Sequence, residues 1–396
     1  MDAGSIAWLL TASALVLLMT PGLAFFYGGL VRAKNVLNLM TQCFMIMGLV
    51  SIIWVLWGYS LAFGPSIGGF VGNPLTHLGL AGINGAEAQS FAMFQMMFAI
   101  ITPALIVGAI ADRFKFTTLI VFVALWSTLV YSPIAHWVWG EGGWLLTMGA
   151  LDFAGGTVVH ISSGFSALVA AIVVGTRSGK LDNFKPHNIP YVLLGTGLLW
   201  FGWFGFNAGS ALAADGIAVN AFLVTNTSAA AGALMMMFLS MRSTGKPSAV
   251  MVACGAVAGL VAITPASGFV GPVAAILIGA GVGLVSWFAI QFKNQRGWDD
   301  SLDVWAVHGM GGVWGALATG LFASSAYGLG VDGIFSGGDI SVLTTQIIAV
   351  VATIAYAGTV TFILLKVLDK TIGLRVDAKD EEAGMDISVH AEEAYN

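Results

Sequence analysis

Long apolar stretches separated by short polar connections dominate the chain. Eleven of them, at 6-28, 36-62, 89-110, 117-138, 153-175, 189-209, 217-241, 248-264, 270-292, 303-323 and 340-368, mostly reach the roughly 20 residues a helix needs to cross a hydrocarbon core. The pattern predicts an all-α polytopic membrane protein of eleven transmembrane helices. It divides the chain into a transmembrane domain over 1-368 and a polar tail over 369-396. The first stretch does not read as a signal peptide, because Met1-Asp2-Ala3-Gly4-Ser5 lacks a positive n-region and the apolar run is too long.

Charge orients this frame. All 15 Lys and Arg residues follow odd-numbered stretches: Arg32/Lys34, Arg113/Lys115, Arg177/Lys180/Lys185, Arg242/Lys246, Lys293/Arg296, then Lys366, Lys370, Arg375 and Lys379. Positive loops stay cytoplasmic, so the N-terminus is expected outside, the C-terminus inside, and the protein in a plasma membrane. Composition agrees, since 58% hydrophobic and 9% charged residues are far from the roughly 25% charged of a soluble domain. From Asp369 onward eight acids face three bases, so the tail carries the whole net charge of -5. It has too little apolar content for a core and is expected to be mobile or docked, with Arg113, Arg177 and Lys293 as basic docking points at a wet interface.

Several chemistries drop out. Cys43 and Cys254 both fall inside apolar stretches and offer neither a disulfide framework nor a metal site. No nucleic-acid patch, phosphate-binding loop or ATP motif is present, and no cofactor is implied.

Ionisable groups within the stretches are costly and therefore informative. His77, His187 and His390 fall in connections or the tail, and His136 near the outer end of the fourth stretch, which leaves His160 and His308. Each sits among small residues that let helices approach closely. The two segments echo each other as Val-His-x-x-x-Gly, Val159 to Gly164 and Val307 to Gly312, with Asp152 and Asp303 upstream. Five stretches separate them, and an odd number per repeat inverts the second copy, the arrangement that places a transporter site near the midplane. One reading of the histidines is a structural hydrogen bond between helices. The other is chemical: no carboxylate lies deep enough to neutralise a bare metal cation, whereas neutral imidazole both accepts and donates a proton. That suits a small solute that can shed a proton and cross neutral.

The run Asp152-Phe153-Ala154-Gly155-Gly156-Thr157-Val158-Val159-His160-Ile161-Ser162-Ser163-Gly164, continuing through Ala167-Leu168 to Gly175-Thr176-Arg177, resembles the signature of the ammonium transporter (Amt/Mep/Rh) family. The likeness extends to Pro21-Gly22 with Phe26-Tyr27-Gly28-Gly29, to Gly202 through Ser210, to Asp303 through Gly309, and to Gly373-Leu374-Arg375-Val376 and Ala394-Tyr395-Asn396 in the tail. It is nearer the prokaryotic Amt branch than the Rh branch.

The resemblance implies a transporter of ammonium or ammonia with no enzymatic activity, in a prokaryotic inner membrane. It makes His160 and His308 the twin histidines that line the pore and share a ring-to-ring hydrogen bond. Trp139 resembles an external tryptophan whose face holds ammonium by a cation-π contact, although it also reads as an ordinary aromatic-belt residue. One extra residue in Gly140-Glu141-Gly142-Gly143 makes Trp144 a competitor. Ser210 resembles the serine that hydrogen-bonds the ion at that outer site. Phe98 and Phe206 resemble the stacked pair closing the outer mouth. Asp152 has two compatible readings, as a helix cap or as negative charge behind the outer site. The family further implies a homotrimer with one pore per subunit and a PII-type signalling protein on the cytoplasmic face.

Two other classes remain. An ammonium sensor reporting through its tail is one, with length as discriminator, since a tail of 28 residues leaves no room for a fused signalling domain. The other is an intramembrane enzyme using Ser162 or Ser163 as nucleophile. Against it, Ile161 stands where the Gly-x-Ser-Gly context of membrane serine proteases needs its first glycine.

Overall fold

The computed structural model describes residues 1-179 and 185-395, so Lys180 and Asn396 lie outside the described residues. The principal helices are α1 (Ala3–Leu30), α2 (Ala33–Phe63), α3 (Ala86–Ile110), α4 (Phe116–Met148, broken by a turn at 140-143), α5 (Gly156–Val174), α6 (Ile189–Gly209), α7 (Gly216–Thr244), α8 (Ala249–Ile263), α9 (Pro272–Gln295), α10 (305-322) and α11 (Ile340–Thr371). Nine of these among the described residues, all but α8 and α10, are long and apolar enough to cross a membrane.

The stretch at 248-264 forms a short helix, and α10, on the stretch at 303-323, is less apolar than the others. α8 stops at Ile263, just ahead of Pro265, which has no amide to continue it. The irregular residues 264-271 that follow are all buried, and non-helical backbone is tolerated at membrane depth only where protein covers it. α10 begins late because Asp303 takes a left-handed conformation, φ 59°. Its first turn, Trp305–Gly309, is π-helical, as is the start of α5, Gly156–Ile161.

α1 runs along α6, their backbones brought together by small residues, and α7, α8 and α9 pack as a second group. α3 is almost wholly enclosed, and α5 and α10 meet inside the bundle. α11 lies against α4, α5 and α10 while Val351, Phe362, Ile363 and Val367 stay exposed, an apolar outer face suited to lipid.

The tail is docked. Lys115 donates its amide to Leu374 O and Val376 its amide to Arg113 O, at 2.8 and 3.1 Å, while Thr118 Oγ1 donates to Gly373 O. Asp386 accepts the amides of Leu37 and Asn38 at 3.1 and 2.8 Å, at the start of α2, where an anion meets unpaired N–H groups. Glu381 accepts from the Ser178 amide at 2.5 Å and from Arg375 Nη2 at 2.7 Å. Glu381 is 0% and Asp386 2% exposed, so these contacts are buried and not the wet surface pairs expected. Lys293 is not a docking point: it pairs with Asp303 at 2.6 Å. Arg113 meets the tail through its backbone carbonyl, its guanidinium donating to Gly175, Ala111, Ala109, Asp299 and Ser301.

Candidate functional site

Each of the two interior histidines sits on a π-helical turn, a local widening that often marks functional sites. The turns bring the rings together. His160 Nδ1 and His308 Nδ1 are 3.2 Å apart, with ring centroids 5.3 Å apart and planes 25° from parallel. One ring must present a protonated and the other an unprotonated Nδ1 for that bond to form. Both residues are buried, at 1% and 3% exposure, and His160 stacks on Trp203 at 5.4 Å. They line a narrow cavity otherwise walled by apolar side chains, among them Met19, Leu23, Leu105, Val257 and Phe206.

On the other side of Phe206 lies a wider pocket. Phe98 lines this pocket and Phe206 the histidine cavity, and their rings lie 4.2 Å apart at 36°, so the pair stands between the two spaces. Trp139, Ser210, Gln95 and Asp152 also face the wider pocket. Trp139 meets Phe98 edge-on at 5.8 Å and donates its indole N–H to Asp152 O at 2.8 Å. Trp144, the competitor, packs instead on Trp137 at 5.7 Å and Phe70 at 6.4 Å. A turn at 140-143 separates the two tryptophans, and it is Trp139 that reaches the pocket. Ser210 Oγ donates to Phe206 O at 2.8 Å, which leaves its lone pairs free to accept.

Asp152 caps the turn that carries His160. Its carboxylate accepts the amides of Gly155, Gly156, Thr157 and Val158 at 2.6 to 3.2 Å, and also the Thr157 hydroxyl. Burial pushes its carboxyl up, and the Thr157 hydroxyl and these amides pull it partly back. The carboxylate standing in the same relation to the second turn is not Asp303. It is Asp300, which accepts the amides of Val304 and Trp305, while Asp303 pairs with Lys293. The pattern was legible: Asp152 and Asp300 each precede their histidine by eight residues, whereas Asp303 precedes His308 by only five.

The serines near His160 are spent on their own helix. Ser162 Oγ donates to Val158 O and Ser163 Oγ to Val159 O, both at 2.5 Å, and neither bonds to an imidazole. His136 is structural in its contacts, bridging Ala62 O at 2.9 Å and Ser66 Oγ at 2.8 Å. Cys43 and Cys254 are free and buried. Among the described residues no group of three or more His, Cys, Asp or Glu could hold a metal.

Membrane-length helices packed around a buried pair of histidines are the build of a multi-pass membrane protein. The model of the Ammonium Transporter Family matches residues 7-395. Ammonium transporter Amt1 of Archaeoglobus fulgidus is 48% identical over 396 residues, covering 100% of both chains. Mep2 of Saccharomyces cerevisiae superposes with a TM-score of 0.89 at 37% identity, covering 96% of this chain and 89% of that one. A structure described as a sensor Amt protein superposes with a TM-score of 0.91 at 31% identity, covering 98% of each. The chain belongs to the ammonium transporter family, a family of transporters and not of enzymes.

Proposed function

We propose that this protein recruits ammonium at the pocket bounded by Trp139, Ser210, Phe98 and Phe206, strips its water there, and conducts ammonia along His160 and His308. The observation that carries this is the imidazole pair, 3.2 Å apart in an otherwise apolar cavity behind the Phe98–Phe206 pair. In the outer pocket a ring face and a serine oxygen replace part of the hydration shell. Taking the full charge further into apolar surroundings costs many kcal/mol, so the neutral form is favoured. The imidazole nitrogens then accept or relay the proton while ammonia passes their edges. Potassium has no proton to give up, which supplies discrimination without a size filter. Asp152 supports the outer site by holding the His160 turn and by placing negative charge behind the Trp139 indole.

The architecture that goes with this reading has eleven spans over 1-368, with α8 and α10 completing the set, in two inverted five-helix halves. The N-terminus is outside and the tail over 369-396 is cytoplasmic, in a prokaryotic plasma membrane. The one-sided distribution of Lys and Arg supports the orientation. The matching Asp152 and Asp300 caps, each ahead of a π-turn bearing a histidine, support the repeat. A homotrimer with a pore in each subunit, and a PII-type partner on the cytoplasmic face, belong to the same reading.

The deciding experiment records current across a planar membrane containing the purified protein, with ammonium and then potassium, beside labelled methylammonium flux in vesicles. Saturable flux that excludes potassium is expected. Absence of any flux from well-folded protein refutes conduction and leaves the second reading, an ammonium sensor. That reading draws on the structure described as a sensor Amt protein, whose solved chain this one covers to 98%.

A further inference from the structure

The turn bearing His308 is mounted on a buried carboxylate to which the pore reading gives no part. Asp300 is 0% exposed. Its Oδ1 accepts the Val304 amide at 3.1 Å and its Oδ2 the Trp305 amide at 2.7 Å. These are the amides at positions +4 and +5 from the aspartate. Asp152 likewise takes the +4 and +5 amides, Gly156 and Thr157, at 2.6 and 2.8 Å. The two histidine turns are thus hung from carboxylates in the same register.

The mounting on the Asp300 side is braced from three directions. Lys293 Nζ donates to Asp300 O at 2.7 Å while pairing with Asp303. The neighbouring Asp299 is gripped by Arg177, with Nε and Nη2 at 3.0 and 2.8 Å, and its carbonyl takes Arg113 Nη2 at 2.6 Å. On the other flank the Ser301 amide donates to Ala109 O at 3.3 Å and Arg113 Nη1 to Ser301 Oγ at 2.7 Å. A backbone held this firmly cannot swing to give the Val304 and Trp305 amides another acceptor. Buried amides without a partner are strongly disfavoured, so losing the carboxylate forces the turn itself to rewind.

We propose that Asp300 is a positioning residue for transport, setting the winding of the 305-309 turn and through it the approach of His308 to His160. The proposal rests on the reading of the two histidines as the conducting pair. Asp300 does not touch the conducted species. Its effect travels through three peptide units, from the Trp305 amide to His308, and a small rewinding there opens the 3.2 Å contact between the two rings.

The test is a mutant cycle on methylammonium uptake, normalised to folded protein in the membrane, with Asp300→Ala, Asp300→Asn, His308→Gln and the two double variants. Asp300→Ala is expected to lower the maximal rate at least tenfold while the half-saturating concentration stays within twofold, because the outer pocket is remote from the change. Asp300→Asn, which keeps one acceptor oxygen, is expected to fall between. In the His308→Gln background either substitution is expected to change the rate by less than twofold. Losses that multiply in the double variants, or a shift in half-saturation as large as the shift in rate, overturn the assignment of Asp300 and leave the pore reading standing. If His308→Gln alone leaves rate and ammonium-over-potassium selectivity unchanged, both fall together. Should Asp300→Ala not reach the membrane, the Asp300→Asn arm decides by the same criteria.

Discussion

Gly164 of α5 lies directly against Gly309 of α10, so closely that a methyl group on Gly164 would stand 2.2 Å from the Gly309 amide nitrogen and 3.0 Å from the His308 carbonyl carbon. The crossing therefore sets how near His308 comes to His160. Gly164→Ala meets backbone, which cannot swing aside like a side chain, so the helices must part. Overpacking of this kind costs about 1–3 kcal/mol. Uptake of labelled methylammonium is expected to drop at least tenfold with protein still in the membrane. Gly197→Ala, where an added methyl meets nothing within 4 Å, is the control and should transport normally.

His160→Ala and His308→Ala should each alter uptake or selectivity more than folding. The rings touch each other inside a cavity whose other walls are apolar, so removing one breaks the relay and leaves a single imidazole facing the path. Membrane levels near wild type with changed transport are expected. Wild-type uptake and selectivity in both variants would return the pair to a purely structural role.

Trp139→Leu keeps bulk but removes a ring quadrupole from the outer pocket. A cation-π contact is worth roughly 0.5–2 kcal/mol, so apparent affinity for ammonium should weaken by roughly two- to thirtyfold. Trp144→Leu should leave affinity unchanged, since that ring packs on Trp137 and Phe70. Half-saturation measured for both variants separates the two residues, and a loss confined to Trp144→Leu would reverse the assignment.

Glu381→Gln should release the tail. Burial alone would raise the Glu381 carboxyl, but the Arg375 guanidinium and the Ser178 amide hold it below the ordinary carboxylate range. A depressed folded value means the ionised contact contributes fully above the unfolded pKa of 4.5 and is lost as pH falls through the lower folded one. Limited proteolysis of inside-out vesicles is expected to cut the wild-type tail slowly at neutral pH, at low and high salt alike, because the contacts are buried and weakly screened. The variant should be cut quickly, and the difference between the two should close as pH falls below the ordinary carboxylate range. Asp386, pushed up by burial against its two amides, is the same in both proteins, so a difference in cleavage at neutral pH reports Glu381 alone. Equal cleavage of the two proteins at neutral pH would show that Glu381 does not hold the tail.

The sequence by itself determined the class. Apolar runs of membrane length need no tertiary information, since each helix satisfies its own backbone hydrogen bonds in lipid. The sequence also singled out His160 and His308, because so few ionisable groups lie deep in the apolar runs and their local motifs match, while their contact with each other came only from the family resemblance. Asp300 was equally legible from its eight-residue spacing, yet the nearer Asp303 drew attention because proximity in sequence is not proximity to an amide.

Other features were decided only by the fold. Trp139 and Trp144 are five residues apart, and a turn at 140-143 settles which reaches the pocket. Phe98 and Phe206 are two of 25 phenylalanines, and only the approach of α3 to α6 stacks them. The tail read as an acidic segment fit for a wet surface. Two of its eight carboxylates, Glu381 and Asp386, are instead buried, because the start of α2 and the loop after α5 present unpaired amides that no composition reveals. Apolar periodicity is a property of each helix alone, whereas the partners of a ring or a carboxylate come from segments far away in the chain, and only packing brings them together.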